Sequence, residues 1–514
     1  MSTIELKKLT FGYDSQEKNI FDKTTLTIQT EWKLGLIGRN GRGKTTLLKL
    51  LEGKLPYQGM ICHQQTLYYF PQTVPDKRRM TFEILQDLSD GETWKVEREL
   101  RLLEVSEDVL WRPFDTLSGG EQTKVLLAGL FVDEKAYPLI DEPTNHLDML
   151  ARQQVITYLK SKKRGFMLVS HDRAFVDAVV NHILSIEKSQ LVLSKGNYSI
   201  YEEQKERRDK FEQEKNQKLV REINRLEQSA TEKAEWSHSR EKDKVNRKRG
   251  FVDTEKRGLN KGAIGADAAR AMKRSKAIVQ RIQKQANEKK TLLKDQEYVD
   301  ELKMNVQISH HQTVLTAEAL QLEYDQSLFQ PLDFQVNQGE RLAVCGVNGS
   351  GKSSILKSVI GEFSGITRGT LLVANGLKIS TVRQNYEDNR GTLAEFAQKN
   401  GLVYEELLNN LRKLGVERSV FHTRIEDMSM GQRKRVELAK SLATPAHLFV
   451  WDEPLNYLDV FNHKQLEEVI LMAKPTMIFV EHDARFIERI ATKTLVVAKG
   501  YDPAIICTRK LLTK

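Results

Sequence analysis

Gly38-Arg39-Asn40-Gly41-Arg42-Gly43-Lys44-Thr45-Thr46 recurs further along the chain as Gly346-Val347-Asn348-Gly349-Ser350-Gly351-Lys352-Ser353-Ser354. Each stretch sets two glycines five positions apart and follows them with lysine and a hydroxyl residue. That is the phosphate-loop pattern: backbone N–H groups close on phosphate oxygens, lysine reaches the outer phosphates, and Ser/Thr holds magnesium. Each stretch follows a short apolar run (Leu34 to Ile37; Leu342 to Cys345) and precedes a helical one. One match could arise by chance. Two in the same strand-loop-helix context predict an α/β chain with two nucleotide sites.

The repetition extends beyond the loops. Asp141-Glu142-Pro143 is answered by Asp452-Glu453-Pro454, Ser118-Gly119-Gly120-Glu121-Gln122 by Ser429-Met430-Gly431-Gln432, and His171-Asp172 by His482-Asp483, all at an offset of 311. Gln72 and Gln384 stand 312 apart. A constant offset over separate features indicates two copies of one domain. The ordered set resembles the ATP-binding-cassette nucleotide-binding domain, in both halves. The resemblance implies two tandem cassettes, 1–200 and 305–500. Between them lies a linker, 201–304, with a basic tip at about 241–265, and a short tail, 501–514, follows.

Hydrophobic residues make up 39% of the 514, enough for packed cores. No apolar run approaches the roughly 18 residues that a membrane span requires. The start, Met1 to Leu6, has no signal-peptide pattern. Three cysteines, Cys62, Cys345 and Cys507, are too few and too scattered for a disulfide framework or zinc site. The net charge of +10 is concentrated: residues 205–300 hold 27 Lys/Arg against 17 Asp/Glu, and 240–290 hold 17 against 6. A polyanion should be met there.

Leu219, Ile223, Leu226, Ala230 and Ala234 form one helical stripe, and Met272, Val279, Ile282, Ala286 and Leu293 a second. Gly250, Gly258, Gly262 and Gly265 separate them. The pattern predicts a long antiparallel helical hairpin whose arms extend on the order of 50–60 Å. Such a charge run usually marks a solvated spacer. Here the basic excess rises towards the tip through Lys242, Lys244, Arg247, Lys248, Arg249, Lys256 and Arg257, then Arg270, Lys273, Arg274 and Lys276. Phe251 has no core to enter there and could stack on a base. The expectation is sequence-independent RNA binding.

The cassette resemblance implies roles for individual residues. Tyr13 (with Phe11) and Tyr324 would stack on adenine. Lys44 and Lys352 would neutralise the outer phosphates of ATP. Thr45 and Ser353 would ligate Mg²⁺, with Asp141 and Asp452 either bound to it directly or standing behind its ligands, and Gln72 and Gln384 would tie the metal to the helical subdomain. Glu142 and Glu453 would orient or deprotonate the attacking water, and His171 and His482 would contact the γ-phosphate. Ser118 and Gly120 would complete the Lys352 site, and Ser429 and Gly431 the Lys44 site. Met430 and Leu455-Asn456-Tyr457 depart from the first copy without removing these groups. Pro138 interrupts the run before Asp141, so that strand is expected to start late.

Tandem cassettes joined by a basic helical pair resemble the ABC-F family, which acts on the ribosome. The run from Gly265 to Lys276 looks like the Lsa- and Vga-type resistance members. The resemblance implies a cytoplasmic ATPase that pairs its own cassettes and has no membrane subunit. Its partner would be the large ribosomal subunit: 23S rRNA and tRNA near the exit and peptidyl sites. It would protect the peptidyl-transferase centre from lincosamides, pleuromutilins and streptogramin A. The Gln72–Ser118 and Gln384–Ser429 intervals leave no room for the long arm of housekeeping ABC-F factors. A housekeeping translation factor, a transporter motor and a DNA-maintenance ATPase are the alternatives.

Overall fold

The computed structural model describes the chain except residues 1, 14–18, 89–92, 134, 146, 188, 248–276, 279, 283, 285–300, 499–504 and 509–514. It divides into two compact units, one formed by Met1–Tyr201 with Val299–Lys514, the other by Glu202–Tyr298. In the first unit the same architecture occurs twice.

Each copy is built on a six-stranded sheet with one strand order. The first runs Leu67–Phe70, Tyr137–Asp141, Phe166–Val169, Lys33–Ile37, His182–Glu187, Gln190–Lys195. The second runs Ile379–Val382, Leu448–Asp452, Met477–Val480, Arg341–Gly346, Lys493–Val497, Ile505–Thr508. All pairs are parallel except the last in each sheet. The central strands read as continuous apolar runs because helices and a second sheet cover both faces. A three-stranded antiparallel sheet supplies that second cover: Phe21–Gln29, Thr3–Phe11 and Gln58–Cys62 in the first copy, and Leu332–Asn337, Thr313–Glu323 and Ile366–Val373 in the second. Ile4, Leu6, Phe21 and Ile28 pack with Leu34, Leu47 and Leu139 in one core cluster. Helices Gly119–Val132 and Met149–Ser161 help close the other face.

The strand before Asp141 does not start late. It spans Tyr137–Asp141 and matches Leu448–Asp452 of the second copy end for end. Pro138 removes only one rung. Pairing with Phe166–Val169 begins at Leu139, whereas in the second copy it begins at Phe449, whose N–H donates to Thr476 O at 3.0 Å. Proline has no N–H for that bond, but its other edge still pairs with Tyr68.

The helix Tyr198–Arg247, which begins just before the boundary, enters the second unit at the place of the expected first arm. Its 50 residues amount to about 75 Å of helix. Lys244 and Arg247 lie on it. Lys248, Arg249, Phe251, Lys256, Arg257, Arg270, Lys273, Arg274 and Lys276 lie outside the described residues. Among the described residues, no helix is long and apolar enough to cross a membrane.

Candidate nucleotide sites

The two phosphate loops leave the central strands of their sheets and enter helices Lys44–Leu51 and Lys352–Val359. Glycine is required at the N-caps. Gly43 and Gly351 take φ of 94° and 89°, and a Cβ at Gly43 would sit 2.4 Å from the Ile20 side chain. The buried ammonium of Lys44 donates to Gly38 O at 2.8 Å and to Asn40 Oδ1 at 3.2 Å. Lys352 Nζ donates to Gly346 O at 3.0 Å and Val347 O at 2.9 Å. Thr45 Oγ1 donates to Asp141 Oδ2 at 2.8 Å, and Ser353 hydrogen-bonds Asp452. Tyr13 and Tyr324 stand just beyond their strands with exposed rings, packed against Phe11 and Phe363. Tyr13 Oη lies 3.2 Å from Thr46 Oγ1. Ser354 is half-buried in the helix after the second loop.

Glu142 and Glu453 follow Asp141 and Asp452 in left-handed backbone conformations, φ 51° and 46°. For a non-glycine residue that costs about 1–3 kcal/mol and clusters at functional sites. Backbone bonds hold both in place: Glu142 N donates to Val169 O, and Glu453 N to Val480 O. The turn aims each carboxylate at a histidine, with His171 Nε2 3.4 Å from Glu142 and His482 Nε2 3.6 Å from Glu453. Their electrostatics differ. Burial first, then the adjacent Asp141 charge, pushes the Glu142 carboxyl up to about 8. Burial acts the same way on Glu453, but His482 and a hydrogen bond with Gln384 outweigh it and hold this carboxyl below its ordinary value. Gln72 instead donates to Leu126 O at 3.3 Å, and its Oε1 is buried without a partner.

Ser118 and Ser429 cap helices Gly119–Val132 and Met430–Ala443 in reciprocal boxes with Glu121 and Gln432. Gly120 and Gly431 lie in the first turns, where free N–H groups and the dipole favour an anion. A cavity of about 520 Å³ brings Asn40, Gly41, Glu142 and His171 of the first cassette together with Ser429, Gly431 and Gln432 of the second. The cassettes are also joined by a symmetric pair of bonds. Asn40 N donates to Asp459 Oδ2 at 2.8 Å, and Asn348 N donates to Asp148 Oδ2 at 3.0 Å. The other oxygen of each aspartate caps its own helix. Sequence reasoning passed over Asp148 and Asp459, although Leu147-Asp148 and Leu458-Asp459 repeat at the same offset of 311.

A family model described as ABC transporter matches residues 21–145 and 329–456. The ribosome protection protein VmlR of Bacillus subtilis (strain 168) is 27% identical over 504 residues, 95% of this chain and 86% of that protein. The erythromycin resistance ATP-binding protein MsrA of Staphylococcus epidermidis is 28% identical over 485 residues, covering 90% and 91%. The energy-dependent translational throttle protein EttA of Mycobacterium tuberculosis is 27% identical over 536 residues, covering 93% and 88%. Among solved structures, RNase-L Inhibitor aligns over 95% of this chain and 87% of that chain with a TM-score of 0.60 at 19% identity. That likeness speaks to the fold.

Proposed function

Because this chain belongs to the ATP-binding-cassette family, as a tandem ATPase of the ABC-F type, we propose that it hydrolyses ATP in two shared sites to drive a cycle on the bacterial ribosome. In that cycle it protects the peptidyl-transferase centre from lincosamides, pleuromutilins and streptogramin A. The observation that carries the site assignment is the cavity joining the first phosphate loop to Ser429 and Gly431 of the other cassette. In this reading Lys44 shares its ATP with Ser429 and Gly431, and Lys352 shares its ATP with Ser118 and Gly120.

Tyr13 and Tyr324 offer exposed rings to adenine, with Gly38, Asn40, Gly41, Gly43 and Thr46, and their counterparts Gly346, Asn348, Gly349, Gly351 and Ser354, around the phosphates. Lys44 and Lys352 would exchange their loop carbonyls for phosphate oxygens. Glu142 and Glu453 hold the attacking water and accept its proton, and His171 and His482 orient them towards the γ-phosphate. The donor set suits Mg²⁺. Gln72 Oε1 in the first site and Asp452 Oδ1 in the second are buried oxygens without hydrogen-bond partners, and the hydroxyls of Thr45 and Ser353 stand beside the Asp141 and Asp452 carboxylates. Among the described residues, no group of three or more His, Cys, Asp or Glu could cage an ion. A cation held by so few protein oxygens would take its remaining ligands from phosphate and water. Bound there with Gln72, Gln384, Asp141 and Asp452 around it, Mg²⁺ would neutralise charge developing on the phosphates.

The ribosomal part of the reading is supported by the name of the ribosome protection protein VmlR and by the basic excess at 240–290, and the drug-resistance part by the name of the erythromycin resistance protein MsrA; both relatives cover most of this chain. Lys244, Arg247 and the tip residues would meet 23S rRNA and tRNA near the exit and peptidyl sites. The working place would be the cytoplasm. The similarity to EttA favours a second reading, a factor that tunes translation without a drug. Glu142→Gln with Glu453→Gln should keep ATP binding, lose turnover and accumulate on ribosomes in sucrose gradients. Fast release of that variant with ATP present would overturn the cycle. Unchanged lincosamide and pleuromutilin susceptibility on gene deletion would favour the second reading.

A further inference from the structure

The copies differ most sharply behind the active groups, where the helix opened by Ser429 meets the segment carrying Gln384. Lys434, on helix Met430–Ala443, is among the largest fully buried side chains. Its ammonium reaches two main-chain carbonyls, Arg383 O and Asp452 O, each at 3.4 Å, and lies 5.6 Å from the centre of the Tyr386 ring. Arg383 immediately precedes Gln384, and Asp452 immediately precedes Glu453. One turn further along the helix, Glu437 is fully buried and gathers the same segment. It takes Arg383 Nε at 3.2 Å, Asn389 Nδ2 at 2.8 Å and Lys440 Nζ at 2.6 Å, while Arg383 also pairs with Asp388 at 2.8 Å. Burial pulls the Lys434 pKa down, opposed by Glu481, Asp452, Glu437 and Glu453.

The first cassette has nothing comparable at the same offsets. Thr123 stands for Lys434, and its hydroxyl turns back onto Gly119 O of its own helix. Leu126 stands for Glu437 and Pro71 for Arg383. There the glutamine segment meets the helix through the 3.3 Å bond from Gln72 to Leu126 O. Buried charge is costly to place, and a network in which every member is paired holds one geometry.

We propose that Lys434 and Glu437 are positioning residues for turnover at the Lys352 loop. From the helix that begins at Ser429 they fasten the segment bearing Gln384 and the strand end bearing Glu453. Neither touches the nucleotide; they fix where the glutamine and the hydrolytic carboxylate stand. The first site does without this support. The inference rests on reading Glu453 as the hydrolytic group and is independent of the ribosome.

Two backgrounds isolate the sites in purified protein: Glu142→Gln leaves turnover at the Lys352 loop, and Glu453→Gln leaves turnover at the Lys44 loop. Adding Lys434→Met should lower kcat about tenfold in the first background with KM within about twofold, the signature of lost positioning. In the second background kcat should hold within about twofold. Glu437→Gln, nearly isosteric, should give the same pattern more weakly and covers the case in which Lys434→Met folds poorly. Unchanged kcat in the first background, an equal fall in both, or a rise confined to KM would each overturn the proposal. Turnover persisting when Glu453→Gln joins Glu142→Gln would instead refute the reading of Glu453, a separate result.

Discussion

Arg173 and Glu467 make an ion pair between the two cassettes, both members essentially without exposure. Arg489, half out in solvent, adds a second contact to Glu467 at 2.8 Å. At an offset of 311 the pair's counterparts are Ala484 and Ile156, so the interface carries this bridge on one side only. Arg173→Leu would strand a buried carboxylate with one partly hydrated partner. Breaking a buried pair by removing one member costs about 3–5 kcal/mol, and the surviving Arg489 contact places the loss near the lower figure, about 3 kcal/mol. Replacing both by Leu removes the stranded charge as well. Such apolar substitutions are often neutral, so the double variant should recover most of the loss and give a coupling energy of about 2 kcal/mol or more. Urea unfolding followed by tryptophan fluorescence, with wild type, both single variants and the double, reads each term. A single variant within about 0.5 kcal/mol of wild type would refute the reasoning. So would a double variant no better than Arg173→Leu.

Further outcomes concern the caps, the loops and two histidines. Ser118→Ala and Ser429→Ala should each cost about 1 kcal/mol in unfolding experiments, through loss of the bonds to Glu121 N and Gln432 N. Gly43→Ala should abolish ATP-analogue binding at its loop in a fluorescence titration, since the new Cβ would meet Ile20 at 2.4 Å on a backbone with φ 94°. His463 is held well below its ordinary value by burial, against the upward pull of Asp483 at 3.9 Å, and burial lowers His171 likewise. A base whose folded pKa is depressed leaves the unfolded chain binding more protons between the two values, so stability is lost as pH falls below about 6.5. His463→Gln should flatten melting temperature against pH between about 6.5 and 5. An unchanged slope would assign the effect elsewhere.

The groups that would face nucleotide were readable because their chemistry leaves no latitude. Gly43 and Gly351 need a conformation open to glycine, and Asp141-Glu142 and Asp452-Glu453 recur as written because the carboxylates must occupy fixed places. The strands, the capped helices and the duplication followed from the same repeats, whereas the expected pairing of the copies came from the family resemblance and not from residue spacing. What stayed hidden depends on contacts between distant residues. Asp148 works on a loop 200 residues away and Asp459 on one 419 away, yet each looks like an ordinary helix cap in the sequence. Lys434 lies in a run of charge, Gln432-Arg433-Lys434-Arg435, that reads as a wet helix face until the Gln384 segment closes over it. The strained backbone at Glu142 and Glu453 has no sequence signal, since glutamate seldom takes positive φ. Pro138 misled because proline disables one edge of a strand, and the edge facing Tyr68 was enough.

Divergence between the copies follows the same division. Positions that would face phosphate, metal or water match between the copies, whereas the positions that support them differ: Thr123 against Lys434, Leu126 against Glu437, Arg152 against His463, Ile156 against Glu467, Ser170 against Glu481. A supporting residue has only to fill its space and satisfy its polar atoms, and that can be done with apolar contacts or with a closed ionic network. At these five positions the second cassette carries Lys434, Glu437, Glu467 and Glu481 beside His463, whereas the first carries two hydroxyls, two apolar side chains and Arg152. Arg152–Asp172 at 2.8 Å is the exception, a guanidinium–carboxylate pair where the second copy has a titratable imidazole beside Asp483. Two sites with the same reactive groups therefore rest on different foundations. The Glu142 and Glu453 carboxyls differ as well: burial and Asp141 drive the first up to about 8, whereas His482 and Gln384 outweigh burial at the second and hold it low, with Lys434 of the supporting network adding to that pull at the point where water would be activated.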